Sequence, residues 1–195
     1  MKKIITTLLA AVAAISLAQA SSSMDAQSGE KDAQAGLISP AVEHAFSPDA
    51  GAEALVLKVI NASAVKIRLA AYSFNSQPVT NALLKAQKRG VDIKIIVDNR
   101  RNLRKNSIAA LNSLAKAGIP IRAVSVYAMH HDKYIISDER IVQNGSFNYS
   151  NDAATANSEN VIVFWDNAEL AKSFQHHWDD RWAKGLDYVA RPGRP

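Results

Sequence analysis

The chain contains no cysteine. Disulfide scaffolds, thiolate zinc sites, iron–sulfur clusters and cysteine nucleophiles are therefore excluded. Glycine (8 residues) and proline (6) are sparse over 195 positions, which rules out a collagen-like repeat. Hydrophobic residues at 48% and charged residues at 21% are globular proportions, neither low-complexity nor largely disordered. The length allows one domain, or at most two small ones. No internal repeat is visible. Only one apolar run is long, Ile4 to Leu17, and its 14 residues fall short of the roughly 20 that a membrane-spanning helix needs.

That run follows Met1-Lys2-Lys3 and precedes Ala18-Gln19-Ala20, a small-x-small cleavage pattern. Residues 1–20 read as a secretory signal peptide cut before Ser21. Residues 21–36 (SSSMDAQSGEKDAQAG) are small, polar and free of aromatics. Such a segment buries too little to offset its ordering entropy and reads as a flexible linker. The expected mature protein is exported, periplasmic or secreted, without stable membrane insertion. The folded domain is expected over residues 37–195. The first 36 residues carry three bases (Lys2, Lys3, Lys31) and three acids (Asp25, Glu30, Asp32), so the whole formal charge of +5 belongs to the domain. A basic excess fits an anionic partner.

Ala41 to Phe46 is a short apolar-rich stretch ending at the turn signal Ser47-Pro48-Asp49. Beyond it, helical and strand patterns alternate. Helices are expected at 52–61, 78–89 and 107–117, and strands at 65–74, 91–97 and 119–126. Lys133 to Ser137 and Ile141 to Gln143 read as a hairpin. A strand at 160–165 and a long helix at 168–184 close the chain. The fold class is α/β: a mixed, largely parallel β-sheet flanked by helices.

The chemistry lies in His131-Asp132-Lys133-Tyr134-Ile135-Ile136-Ser137-Asp138, followed by Gly145-Ser146-Phe147-Asn148. Residues i and i+2 of a strand share a face, so His131 and Lys133 point the same way, and Ser146 and Asn148 can do so too. A base or nucleophile beside a fixed cation and neutral donors suits a phosphate diester. Gly145 permits close backbone approach at the same point. Arg100, Arg101, Arg104 and Lys105 follow the 91–97 strand. They form either a solvated loop or a contact for a polyanion backbone at the carboxyl ends of the strands. No base-reading motif is visible, so little sequence preference is expected. Tyr72, Phe74 and Phe147 are either core or substrate contacts. The pairs His130–His131 and His176–His177 make no ready metal clamp, because adjacent side chains diverge on strand and helix alike. No metal or cofactor is called for, since lysine and amide donors meet the phosphate charge. His176, His177, Trp178 and Trp182 are expected to dock the last helix.

The string His-x-Lys, four residues, Asp, six residues, Gly-Ser-x-Asn resembles the signature of the phospholipase D superfamily. From about Val42 to Tyr188 the chain is similar to the small bacterial endonucleases of that superfamily, the Nuc type. Ala71-Tyr72-Ser73-Phe74, Lys88-Arg89-Gly90-Val91-Asp92, Ser158-Glu159-Asn160 and His177-Trp178-Asp179-Asp180-Arg181-Trp182 carry the likeness further. The resemblance implies a phospholipase D-like sandwich with one motif per chain and catalysis by His131, Lys133, Ser146 and Asn148. It also implies that Glu159 orients His131. Asp138 serves either as a brace of the hairpin or directly in catalysis. Diester cleavage through a covalent intermediate needs one histidine to attack and another to protonate the leaving oxygen. With one motif per chain, a homodimer with His131 of both subunits at one site meets that need. The expected activity is a metal-independent, non-specific endonuclease acting on DNA or RNA through a phosphohistidine. Alternatives are a lipid phosphodiesterase of the phospholipase D type and a non-catalytic nucleic-acid-binding module.

Overall fold

The computed structural model describes residues 41–190. The expected signal peptide and linker lie outside the described residues, as do residues 37–40 and 191–195 of the expected domain. In chain order the elements are β1 (Val42–Ser47), α1 (Ala52–Ala62), β2 (Lys66–Ala71), α2 (Gln77–Lys88) and β3 (Asp92–Asp98). A 3₁₀ turn (Arg101–Leu103), α3 (Lys105–Lys116), β4 (Ile121–Val124), β5 (Lys133–Ser137) and β6 (Ile141–Gly145) follow. The chain continues with α4 (Asn151–Thr155), β7 (Glu159–Phe164), α5 (Ala168–Lys184) and β8 (Leu186–Asp187).

The eight strands form one mixed sheet in the order β1-β7-β6-β5-β2-β3-β4-β8. The α/β class with flanking helices is as the sequence implied, but the parallel share is smaller than expected. Only β2–β3 and β3–β4 are parallel. The other neighbours, β1–β7, β7–β6, β6–β5, β5–β2 and β4–β8, are antiparallel. The reason is in the connections: α2 and α3 are crossovers that force parallel pairing, whereas β5 and β6 meet through a tight turn. In that turn Asp138 and Glu139 both have positive φ (50° and 58°), the backbone hand that a two-residue hairpin turn requires.

Alternation along the strands divides the core. Ile67, Leu69, Ile93, Ile95 and Ile135 face α1, α2 and α3. Ala70, Ile96, Tyr134, Ile136 and Val142 face α5. The α5 layer is anchored by Trp178, which is 2% exposed and donates from its indole N–H to the Leu69 carbonyl at 3.2 Å. Trp182 stacks on Trp178 at 4.9 Å, and the Arg122 guanidinium covers Trp182 at 4.6 Å. The α2 start follows its sequence: the Ser76 hydroxyl accepts the Val79 N–H at 3.2 Å, with Pro78 in the first turn.

One connection positions the site. After β4 the chain must return past β3 and β2 to enter the sheet as β5. Residues 125–132 make that crossing, and they deliver His130 and His131 to the carboxyl-terminal ends of β2 and β3.

Candidate active site

One edge of the sheet gathers the ends of β2, β3 and β6 and the starts of β5 and β7. His131 is exposed there, and Lys133 is buried at the first position of β5. The Lys133 ammonium lies 3.2 Å from His131 Nδ1 and 3.4 Å from Nε2, and donates to the His131 carbonyl at 2.8 Å. The same-face placement read from their i, i+2 spacing is thus realised. Desolvation, and then the Lys133 charge, hold the His131 imidazole below its ordinary value of 6.5. The ring is therefore neutral at pH 7, as a nucleophile must be. Desolvation also lowers Lys133, against the opposing charges of Glu159 and Asp132.

Tyr72, just past β2, is half-buried, and its ring centroid lies 4.4 Å from that of His131. The Lys133 ammonium sits 5.4 Å from the Tyr72 centroid, and the Arg101 guanidinium 5.7 Å. Sequence reasoning left Tyr72 between core and substrate contact; the structure makes it the platform of the histidine. Asn102, buried, holds that platform by donating to the Tyr72 carbonyl at 2.9 Å and accepting the Phe74 N–H at 2.8 Å. The carboxylate of buried Asp98 accepts the backbone N–H groups of Arg100 (2.9 Å), Arg101 (2.7 Å) and His130 (2.9 Å). Neither Asn102 nor Asp98 was legible as a site residue, because the bonds that tie them to the site, to Tyr72, Phe74 and His130, go to backbone groups about thirty residues away.

Ser146 and Asn148 leave the end of β6 at the same edge. The Ser146 hydroxyl donates to Glu159 Oε2 at 2.5 Å and accepts the Asn160 N–H at 3.0 Å. Asn148 Oδ1 is buried with no hydrogen-bond partner among the described residues. Glu159 was expected to orient His131; within the protomer one of its oxygens accepts from Ser146 and the other from Asn157 at 3.0 Å. Glu159 also acts on Lys133, as an opposing charge. Gly145 was expected to permit close backbone approach at this point. The close neighbour is β7: at φ 151° a Cβ there would lie 2.2 Å from the Asn160 carbonyl oxygen.

Asp138 is set apart from the others. It follows the far end of β5, roughly 20 Å from His131 at about 3.3 Å per strand residue. Its carboxylate accepts the N–H groups of Ala64 (2.9 Å), Val65 (2.8 Å) and Lys66 (2.8 Å), tying the hairpin to the start of β2. Burial opposes its ionisation, but those three bonds outweigh it and hold the carboxyl below its usual range. Asp138 is therefore a brace and no part of the reacting centre.

Of the basic loop, Arg101 reaches the site through Tyr72, while Arg100, Arg104 and Lys105 stay exposed around it. Arg104 caps α3 and Lys105 begins it, with no acid in the first turn. Two positive charges at the positive end of a helix dipole are unfavourable until an anion joins them. Among the described residues no three His, Asp or Glu side chains are gathered as a bound metal would require.

Residues 56–182 match the family described as cardiolipin synthase, PLD-like domain. The chain belongs to the phospholipase D superfamily. It is accordingly a phosphodiesterase of that superfamily. A protein named phospholipase D from Rickettsia bellii is 38% identical over 143 residues, covering 73% of this phospholipase D-superfamily chain and 70% of the relative. A mitochondrial cardiolipin hydrolase from Chlamydomonas reinhardtii is 34% identical over 111 residues, 57% of this chain and 48% of that one. Among solved structures, the phospholipase D family member Nuc from Salmonella typhimurium superposes with a TM-score of 0.76 at 47% identity. That match covers 76% of this chain and 98% of Nuc.

Proposed function

We propose that this phosphodiesterase is an exported, metal-independent, non-specific endonuclease that works as a homodimer through a phosphohistidine. The observation that carries the reading is the exposed His131 imidazole with the Lys133 ammonium 3.2 Å from its Nδ1, packed against Tyr72, which the Arg101 guanidinium also covers. A ring nitrogen of His131 attacks phosphorus, and the bond from phosphorus to the leaving oxygen breaks. The partner subunit's His131, protonated, gives its proton to that oxygen and becomes neutral. It then takes a proton from water, whose oxygen attacks phosphorus and breaks the P–N bond. Lys133 and Asn148 of both subunits hold the non-bridging oxygens.

Support for the substrate is electrostatic. Arg100, Arg101, Arg104 and Lys105 follow the end of β3, which lies on the same edge, and backbone contacts of this kind carry no sequence information. The likeness to Nuc agrees with this reading. Support for the dimer is the single motif, together with the exposure of Phe46 (52%), Leu103 (50%), Val126 (62%) and Met129 (54%) at or near this edge. The proposed DNA or RNA backbone and the second subunit thus share one side of the molecule. Export rests on residues 1–20.

The test is plasmid cleavage by the purified mature protein in excess EDTA, with His131→Ala and Lys133→Ala beside it. Cleavage that persists in EDTA and is lost in both variants is expected. Loss of wild-type cleavage in EDTA would sink the metal-free mechanism, and DNA binding without cleavage by the wild type would leave only a binding module. A second reading draws on the names of the relatives: hydrolysis of a lipid headgroup diester by the same residues. Headgroup release from phospholipid vesicles without DNA cleavage would select it.

A further inference from the structure

A cavity of about 380 Å³ opens on the α5 side of the same edge and reaches His131 and Lys133. Apart from Gly145, its remaining lining is of two kinds. Tyr134, Phe174 and His177 present rings, while Asp132, Asn144 and Ser173 present hydrogen-bonding groups. None of these six takes part in the phosphoryl transfer set out above. The volume is at the small end of the roughly 300–1,000 Å³ typical of small-molecule sites.

The rings are held in place. Tyr134 and Phe174 meet edge to face at 5.0 Å, and Tyr134 and His177 at 6.0 Å. His177 Nε2 lies 3.1 Å from Asp132 Oδ2, so the imidazole expected only to dock α5 is turned toward the site. Tyr134 is 3% exposed, and its hydroxyl has no hydrogen-bond partner among the described residues. Tyr134 and Asn144 are opposite each other on β5 and β6, which places a ring and an amide side by side in the wall.

We propose that this cavity binds one unstacked nucleobase of the strand being cut, next to the scissile phosphate; the proposal rests on the endonuclease reading. A nucleobase has apolar faces and a polar edge, and the cavity offers both complements. An acyl chain would desolvate Asn144, Ser173 and the Asp132–His177 pair without offering any of them a hydrogen bond, so a lipid tail is the poorer occupant. A base stacked inside a duplex cannot enter. The site therefore favours single strands or locally opened duplex.

The test compares kcat/KM on a single-stranded DNA oligonucleotide and on one carrying an abasic residue beside the cleaved linkage. The wild type is expected to favour the natural strand by about tenfold or more, the scale of lost base–aromatic stacking. In Phe174→Ala, and separately in Asn144→Ala, that preference should shrink to about threefold or less, as one interaction lost twice would give. Because the readout is a ratio within each variant, a general loss of folded enzyme cancels. A wild type indifferent to the abasic residue, or variants that keep the full preference, would overturn the proposal. So would variants whose only loss is headgroup release from phosphatidylcholine vesicles. A wild type that cleaves neither oligonucleotide would instead remove the endonuclease reading on which the proposal stands.

Discussion

The buried Asp98 carboxylate accepts the backbone N–H of His130 at 2.9 Å, one residue before the reactive imidazole. Its other oxygen takes the N–H groups of Arg100 and Arg101 at 2.9 and 2.7 Å. A single side chain at the end of β3 thus fixes both the crossing that carries His131 and the loop that carries the cations. Asp98→Ala leaves three N–H groups without that acceptor, and a buried donor left unpaired costs about 1–3 kcal/mol. Unfolding by urea should show a loss of that order. Phosphodiester cleavage should fall by tenfold or more at a temperature where the variant is still folded, because both segments lose their anchor. Full activity in the folded variant would show that Asp98 has no part in positioning.

His131 and Lys133 set a pH dependence whose sign is fixed by their contact. The His131 imidazole is held below its ordinary 6.5, by desolvation first and by the Lys133 charge second. The neutral, attacking form is then retained as pH falls past 6.5 and is lost only below the depressed value. The acid limb of kcat/KM should therefore lie below the usual histidine range. In the dimer the two imidazoles titrate as a pair, so the limb belongs to the pair. Lys133→Met removes the second cause. An NMR titration of His131 in that variant should show its midpoint moved upward from the wild-type position. A midpoint unmoved or lowered would show that the ammonium does not act on the ring.

Asp138 separates stability from chemistry. Its three backbone bonds join the hairpin to the loop before β2, and its carboxyl is held below the ordinary 3.8. The stability this contributes is complete above 3.8 and is lost as pH falls through the lower folded value. At pH 7, Asp138→Ala should lower unfolding stability by about 1–3 kcal/mol, while specific activity of the folded fraction stays within about twofold. A drop of a hundredfold or more in the folded variant would return Asp138 to the reacting centre.

How far the sequence carries depends on the reach of each contact. The α5 helix was legible residue for residue, because 168–184 has a clear apolar face and glycine just past its end. The pairing of His131 with Lys133 was legible because the two stand only two residues apart, although His131 lies just before β5 and not in it. The direction of the sheet was less so: β-branched runs announce strands, but parallel or antiparallel pairing follows from the path of residues 125–132, which have no periodicity. Asp98, Asn102 and the Asp132–His177 contact were illegible for a related reason. They join segments distant in sequence, and several of their bonds go to backbone groups, which leave no mark on residue type. Tyr72 lay between, since an aromatic at the end of a strand pattern fits core and site equally well.

Subunit mixing tests whether two copies of His131 serve one phosphate. In a shared site each dimer needs both imidazoles, one to attack and one to protonate. A heterodimer of wild type and His131→Ala then lacks one role and is inactive. If equal amounts of the two proteins exchange subunits at random, about a quarter of the dimers are wild-type pairs, down from one half before exchange. Cleavage by a fixed amount of wild-type protein should therefore fall to about half as exchange proceeds, and further as the variant is added in excess. Independent sites predict no fall at all, because each wild-type subunit would keep its own activity whatever its partner. Activity that stays constant while tagged subunits demonstrably exchange would mean that a single chain supplies both the nucleophile and the acid, and the search for the acid would move to the side chains around His131 in the same subunit.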